Sequence, residues 1–280
     1  MPKVSVLMPV YKTEETHLKE AISSILNQTF KDFEFLILDD CPEDNREKIV
    51  KSFDDKRIRY LKNEQNLGIT SSRNKLFDIA KGEYLAIFDH DDISLPERLE
   101  KQVAYLDANK DVGVVSCQVE RFPIKSITNH PLENLEIKKH LMHTNVVAHT
   151  AMMIRRKVLL ESGIRYENQY SPAEDYMLCL RLINHTLFHN IPEVLVKYRF
   201  FEGNTTCRQW DKMVNADAIC RCIAAKEYPY LYSLSNINQV NTSKKWMKLF
   251  GFLPVIKIKS QPSKVKFYLF GVLLLFTIRG

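Results

Sequence analysis

Over its first 118 residues the chain alternates short apolar runs with longer amphipathic ones, and this alternation restricts the fold more than any other feature. Val4 to Met8, Phe33 to Leu38, Ile58 to Leu61, Glu83 to Phe88 and Val112 to Cys117 read as strands, most of them buried. Between them, Glu15 to Leu26 sets Leu18, Ile22, Ile25 and Leu26 on one helical face. Glu43 to Phe53, opened by Pro42, Thr70 to Ala80, ended by Gly82, and Leu95 to Ala108 read as further helices. A βαβα order implies a mostly parallel sheet covered by helices on both faces. Phe122 to Val147 is irregular. Beyond it the pattern predicts a strand within Val147 to Ile154, helices at Arg156 to Ser162, Glu174 to Asn184 and Cys207 to Lys226, and strands at Leu187 to Asn190 and Val194 to Tyr198.

In open α/β sheets, ligands bind outside the carboxyl ends of the strands. Three groups fall there: Pro9-Val10-Tyr11, Asp39-Asp40 and Asp89-His90-Asp91-Asp92. Three carboxylates at one strand mouth repel, and a divalent cation is the usual remedy. Oxygen ligands in an Asp-x-Asp spacing suit Mg2+ or Mn2+, ions that also grip a diphosphate. A planar base fits stacking on Tyr11 with a hydrogen bond to Asp39 or Asp40, although an Asp-Asp pair taken alone reads more often as a turn than as a ligand. Glu174-Asp175 opens a helix, where carboxylates also favour the positive helix end for purely structural reasons.

PVYKTEE at Pro9 to Glu15, ILNQTFKDFEFLILDD at Ile25 to Asp40, NLGITSSRN at Asn66 to Asn74, GEYLAIFDHDD at Gly82 to Asp92 and AEDYMLCLRL at Ala173 to Leu182 together resemble family 2 of the inverting glycosyltransferases, in order, across about residues 3–205. The resemblance implies the GT-A fold, a Rossmann-like nucleotide-binding mixed sheet flanked by helices. It also implies roles. Pro9, Tyr11, Asp39 and Asp40 would line the nucleoside pocket. Arg73 would contact the nucleotide sugar or its diphosphate, and Asp89 the ribose or donor sugar. Asp91 would be the main protein ligand of Mn2+ or Mg2+, Asp175 the catalytic base, and Glu174 a neighbour contacting the acceptor. His90 would be a spacer, and Asp92 an outer partner or a helix cap. The chain departs from the pattern at Tyr198-Arg199-Phe200-Phe201, where many relatives carry a histidine in the last position. Phe201 cannot coordinate a metal, so Asp91 with diphosphate oxygens, or a group such as His149, must serve instead.

The implied substrates are a nucleotide sugar, with UDP-sugars first, and a hydroxyl of a growing glycan or glycolipid in lipooligosaccharide, capsule or another surface polysaccharide. A nucleotidyltransferase would need a glycine-rich phosphate loop after the first strand, and Pro9 to Glu15 has no glycine. A non-catalytic saccharide- or nucleotide-binding module would tolerate loss of Asp175. With a net charge of +6 and no nucleic-acid motif, no nucleic acid partner is expected. The six cysteines form no Cys-x-x-Cys pair, and Met1 to Pro9 lacks the shape of a signal peptide, so a cytoplasmic location is expected. The domain division implied is a transferase domain over 1–232, with a nucleotide half to about 118 and an acceptor half from about 119, followed by a tail over 233–280. The tail repeats an apolar run, Leu249 to Lys259 and Leu269 to Arg279, flanked by Lys244, Lys245, Lys248, Lys264 and Lys266. Each run is shorter than the ~20 residues that cross a bilayer. A helical, amphipathic tail resting on the inner face of the membrane is the expectation.

Overall fold

Strands β1 (Val4–Val10), β2 (Phe33–Asp39), β3 (Ile58–Lys62) and β4 (Tyr84–Ile87) run parallel in the order β3-β2-β1-β4. The computed structural model describes residues 1–44, 46–201 and 208–237, and the backbone of 246–248, 254–261, 264–269 and 272–274. All seven residues of β1 are buried, as a central strand covered on both faces requires. The covering helices include α1 (Glu15–Leu26), which buries Leu18, Ala21, Ile22 and Ile25, and α3 (Ile69–Ile79), which buries Leu76 and Phe77. Between β2 and β3 lies the short α2 (Arg46–Lys51).

Because β2 and β3 lie on one side of β1 and β4 on the other, the chain reverses its winding between β1 and β4. This switch point opens a crevice at the strands' carboxyl ends. Parallel registry puts Val10 beside Asp39 and Asp39 beside Lys62, so the strand ends that carry the polar motifs share one edge.

The rest of the sheet is not parallel throughout. After β5 (Ile93–Ser94) and α4 (Arg98–Ala108), the chain forms β6 (Val112–Phe122), β7 (Ser126–Ile127), α5 (Asn134–His140), β8 (Met153–Arg155), α6 (Arg156–Ser162), α7 (Glu174–Leu182) and β9 (Leu187–Arg199). Strand β8 is antiparallel between β4 and β6, β9 is parallel to β6, and β5 is antiparallel to β9. The mostly parallel sheet expected from βα alternation is therefore a mixed one, because β8 enters after an irregular stretch instead of a crossover helix. The two strands expected at 187–190 and 194–198 are the single strand β9, and part of the strand expected within 147–154 is a 3-10 turn at His149–Ala151.

Gly82 stands where α3 has ended and β4 is about to enter the sheet. A Cβ there would lie 2.4 Å from the Ser5 backbone nitrogen and 2.7 Å from the Val4 carbonyl carbon. The Gly82 N–H donates to Ser5 Oγ at 2.8 Å. Gly82→Ala is expected to cost about 3 kcal/mol through overpacking against backbone. A lowered urea midpoint at unchanged m-value would show this, and an unchanged midpoint would rule out the close β1–β4 approach.

The chain divides into two units, Met1–Tyr228 and Pro229–Gly280. The first ends with α8 (Trp210–Glu227), and the second begins with α9 (Pro229–Ile237). Among the described residues, the tail expected to be helical is helical only to Ile237 and is extended from Trp246 onward. Strands Trp246–Lys248, Pro254–Gln261, Lys264–Leu269 and Val272–Leu274 pair as one antiparallel sheet. Ile256-Lys257-Ile258-Lys259 alternates with the two-residue period of a strand, which explains the difference. The lysine-flanked membrane face rests on side chains outside the described residues. Among the described residues, no helix is long and apolar enough to cross a membrane.

Candidate active site

The β2 end presents Asp39 and Asp40, both buried. Asp39 Oδ1 accepts the Cys41 N–H at 3.0 Å, and Oδ2 accepts the Tyr60 hydroxyl at 2.8 Å. Asp40 Oδ1 accepts from Asn63 Nδ2 and the Leu67 N–H, and its Oδ2 accepts the Gly68 N–H, each at 2.8 Å. Asp40 thereby folds the loop that leads into α3. Gly68 takes φ +82° there, a left-handed conformation that an L side chain rarely adopts. A carboxylate offers about four lone-pair directions, so each of these groups retains acceptor capacity for a base. Tyr11 is 41% exposed just past β1, with the Lys12 ammonium 5.3 Å from its ring centroid.

At the β4 end, Asp89, Asp91 and Asp92 differ in their surroundings. Asp89 faces Arg73 Nη2 at 3.2 Å and His149 Nδ1 at 3.8 Å. Burial disfavours its charge, but His149 and Arg73 outweigh this and hold its carboxyl below the usual range. Asp91 is raised by burial and by the charge of Asp89, with His90 Nδ1 lying 3.9 Å from its Oδ1. Asp92 is fully buried and raised well above the ordinary value by burial and by Asp91 and Asp89. Its Oδ1 accepts the Arg199 N–H at 2.8 Å, and the Thr150 hydroxyl offsets part of the rise. Asp92 thus ties β9 to the cluster and does not cap α4. Arg199 donates Nε to the Asp91 carbonyl at 2.8 Å and pairs with Glu20 of α1.

Beneath the cluster lies Arg98, wholly buried, donating to the Ile87 carbonyl at 2.7 Å and to Gln102 Oε1 at 3.2 Å. Burial pulls its guanidinium down to about 10, partly offset by Cys117, Asp92 and Asp89. Nothing in the sequence marks Arg98, since an arginine in the first turn of a helix ordinarily points to water.

Helix α7 brings Glu174 and Asp175 to the same place. Glu174 is buried, its Oε1 accepting from Arg73 Nη1 at 2.7 Å and its Oε2 buried without a partner. Arg73 therefore bridges Asp89 and Glu174 and joins motifs far apart in sequence. Its cation also sits 5.5 Å from the Tyr166 ring centroid. The terminal nitrogens of Arg73 face these two carboxylates at the strand mouth where its contact with a nucleotide sugar or diphosphate is expected. Asp175 is raised by burial and by Glu174, against the lowering influence of His149 and Arg73. Its Oδ2 accepts from Asn145 Nδ2 at 3.1 Å. His149 Nε2 meets the Tyr166 hydroxyl at 2.8 Å. Asn145 and Tyr166 went unseen in the sequence because each lies in a stretch without helical or strand periodicity.

The carboxylates of Asp89, Asp91 and Asp92 are oxygen donors of the kind a hard divalent cation takes. Asp91, held close to other carboxylates and retaining 14% side-chain exposure, is the residue best placed to hold one. Among the described residues, no group of three or more His, Cys, Asp or Glu side chains converges to hold an ion by itself. Phe201 packs its ring edge on His17 at 5.7 Å, and His149 is engaged with Tyr166 and Asp89.

Residues 5–163 match the sequence family Glycosyl transferase family 2. The chain belongs to this family. The transferase is 41% identical over 207 residues to an uncharacterised glycosyltransferase of Methanocaldococcus jannaschii, covering 71% of each chain. It is 29% identical over 217 residues to UDP-Glc:alpha-D-GlcNAc-diphosphoundecaprenol beta-1,3-glucosyltransferase of Escherichia coli, covering 74% of this chain and 84% of the relative. Among solved structures, the S. aureus TarS fragment 1–349 in complex with UDP-GlcNAc superposes with a TM-score of 0.65 at 20% identity, over 78% of this chain and 66% of that fragment. The transferase thus spans just under two thirds of the TarS fragment. A mannosyltransferase of Pyrobaculum calidifontis in complex with GDP-Man and Mn2+ gives a TM-score of 0.59 at 15% identity, over 86% of this chain and 76% of that one. The fold is GT-A and the protein is a glycosyltransferase. The nucleotidyltransferase and non-catalytic readings of the sequence give way to it.

Proposed function

We propose that this transferase moves one sugar, with inversion, from a UDP-sugar to a hydroxyl of a lipid-carried glycan in the synthesis of a surface polysaccharide such as capsule or lipooligosaccharide. The observation that carries the proposal is the Asp89–Arg73–Glu174 bridge. It ties the acidic mouth of β4, suited to a donor's phosphates, to the helix that presents Asp175, suited to an acceptor's proton.

The roles follow from surroundings. Tyr11, with Pro9 beside it, offers a stacking face for the base, and Asp39 and Asp40 offer acceptor oxygens to its N–H edge. Asp89, kept charged, suits a hydrogen bond from a ribose or sugar hydroxyl. Asp91 would hold Mn2+ or Mg2+, which when bound supplies Lewis-acid stabilisation of the departing diphosphate. Asp175, made more basic by burial and Glu174, takes the acceptor hydroxyl proton as that oxygen attacks the anomeric carbon. The buried unpartnered Oε2 of Glu174 is an acceptor for a second hydroxyl of the incoming sugar. The UDP-glucose-dependent, undecaprenol-linked activity named for the Escherichia coli relative supports a UDP donor and a lipid-carried acceptor. The lysine-flanked apolar repeats of residues 233–280 support a tail that rests on the cytoplasmic membrane surface.

Release of UDP from UDP-glucose and UDP-GlcNAc tests the reading. EDTA is expected to stop turnover, and Mn2+ or Mg2+ to restore it. Asp91→Asn is expected to raise the half-saturating Mn2+ concentration by at least about tenfold, the lower range for loss of a group that supports a metal site. Turnover indifferent to EDTA and to Asp91→Asn would remove Asp91 and the cation from the account.

A further inference from the structure

Asn145 lies in the irregular stretch before β8, and nothing in its sequence surroundings marks it as functional. Its side chain is nonetheless held at both ends. The Val147 N–H donates to Asn145 Oδ1 at 3.0 Å, which fixes which end of the amide is oxygen, and Nδ2 then donates to Asp175 Oδ2 at 3.1 Å. An amide pinned in this way cannot flip without breaking both bonds. Asp175 sits in the first turn of α7, where its backbone is set by the helix but its carboxylate can still rotate. The Asn145 contact removes that freedom.

We infer that Asn145 is the positioning residue for Asp175: it holds Oδ2 so that Oδ1 is the oxygen presented to the acceptor hydroxyl. The inference rests on the reading of Asp175 as base. A neutral donor suits this task better than a cation. A lysine or arginine in its place would favour the carboxylate so strongly that the carboxylate would lose basicity, whereas an amide orients it and leaves it able to take a proton. The Tyr176 backbone N–H also donates to the Asp175 carboxylate, but among the described residues no other side chain duplicates the Asn145 contact. Glu174 repels it from within α7, while Arg73 of α3 and His149 of the turn before β8 act through charge. Tyr166, Cys179 of α7 and Cys220 of α8 lie close enough to feel its charge. Among the described residues, Asn145 is the side chain that gives Asp175 a hydrogen bond.

The test uses Asn145→Ala and the isosteric Asn145→Asp in the full chain, with Asp175→Asn alongside, followed by release of UDP from UDP-glucose or UDP-GlcNAc across pH. Asn145→Ala is expected to lower kcat by about tenfold to a hundredfold, the scale of a misplaced reacting group, with KM for the donor within about threefold. Asn145→Asp keeps the Val147 bond but sets a carboxylate against Asp175, so the acidic limb of the pH–rate profile moves to higher pH. A merely structural asparagine would lower the amount of folded Asn145→Ala protein and leave kcat per folded molecule unchanged. Wild-type kcat and pH profile in both Asn145 variants, with Asp175→Asn inactive, would overturn the positioning role and leave the base intact. Normal turnover in Asp175→Asn would overturn the base reading, and the inference with it.

Discussion

Asp175→Asn is expected to lower the rate of sugar transfer by about a hundredfold to ten-thousandfold, the span over which a general base ordinarily contributes, while donor affinity stays within about threefold. Asparagine matches aspartate in shape but cannot accept a proton from a hydroxyl. The pH dependence carries the same signature. Burial and Glu174 raise the Asp175 carboxyl, so the wild-type rate falls as pH drops through a value above that of an ordinary aspartate. The residual rate of the variant should be flat across that limb. Stability moves the opposite way. A carboxyl raised in the folded state binds its proton more tightly there than in the unfolded chain. Its contribution is therefore fully present below the unfolded pKa and is lost as pH rises through the folded one. At neutral pH, Asp175→Asn should therefore melt no lower than the parent. Transfer at near-parent rate in a folded, donor-binding variant would remove Asp175 from the base role.

Arg73→Ala carries the second large effect, and it falls on stability. Arg73 lies between Asp89 and the buried Glu174, and its loss leaves two carboxylates facing each other without their cation. Removing one partner of a buried ion pair costs about 3–5 kcal/mol, a large share of the 5–15 kcal/mol that typically holds a domain folded. Arg73→Lys keeps the charge but cannot reach two carboxylates with one forked head, so it should fall between. Urea denaturation at neutral pH reads both. Parent-like stability of Arg73→Ala would mean that the bridge between the two acidic motifs is not formed.

The parts of this site that were legible in the sequence are those whose position follows from chain order. Asp39, Asp40, Asp89 and Asp91 end strands, and parallel strands end on one edge, so their proximity follows from βα alternation alone. Asp175 opens a helix, and its link to that edge came only from the order of motifs. Partners were not legible. That Asp40 holds the Leu67 and Gly68 amides, that Asp92 meets Arg199 and that Arg73 lies between two carboxylates are tertiary facts, set by where distant segments arrive. The same reason hid Asn145, Tyr166 and Arg98. Beyond Ile237 the tail is hard to read because a short apolar run with interspersed lysines suits either period, and only the strict alternation at Ile256 to Lys259 favours a strand.

In the proposed reaction the mouth of β4 holds the donor's diphosphate through Asp91 and a cation while Asp175 faces the acceptor hydroxyl beside the anomeric carbon. Crystals of the Asp175→Asn chain soaked with MnCl2 and UDP-glucose, with diffraction recorded at the manganese edge, test it directly. The account predicts one anomalous peak bonded to Asp91 and to diphosphate oxygens, with the glucose ring between that peak and Asn in position 175. A nucleotide bound with its phosphates away from Asp91, or a sugar on the far side of the sheet from α7, would contradict it.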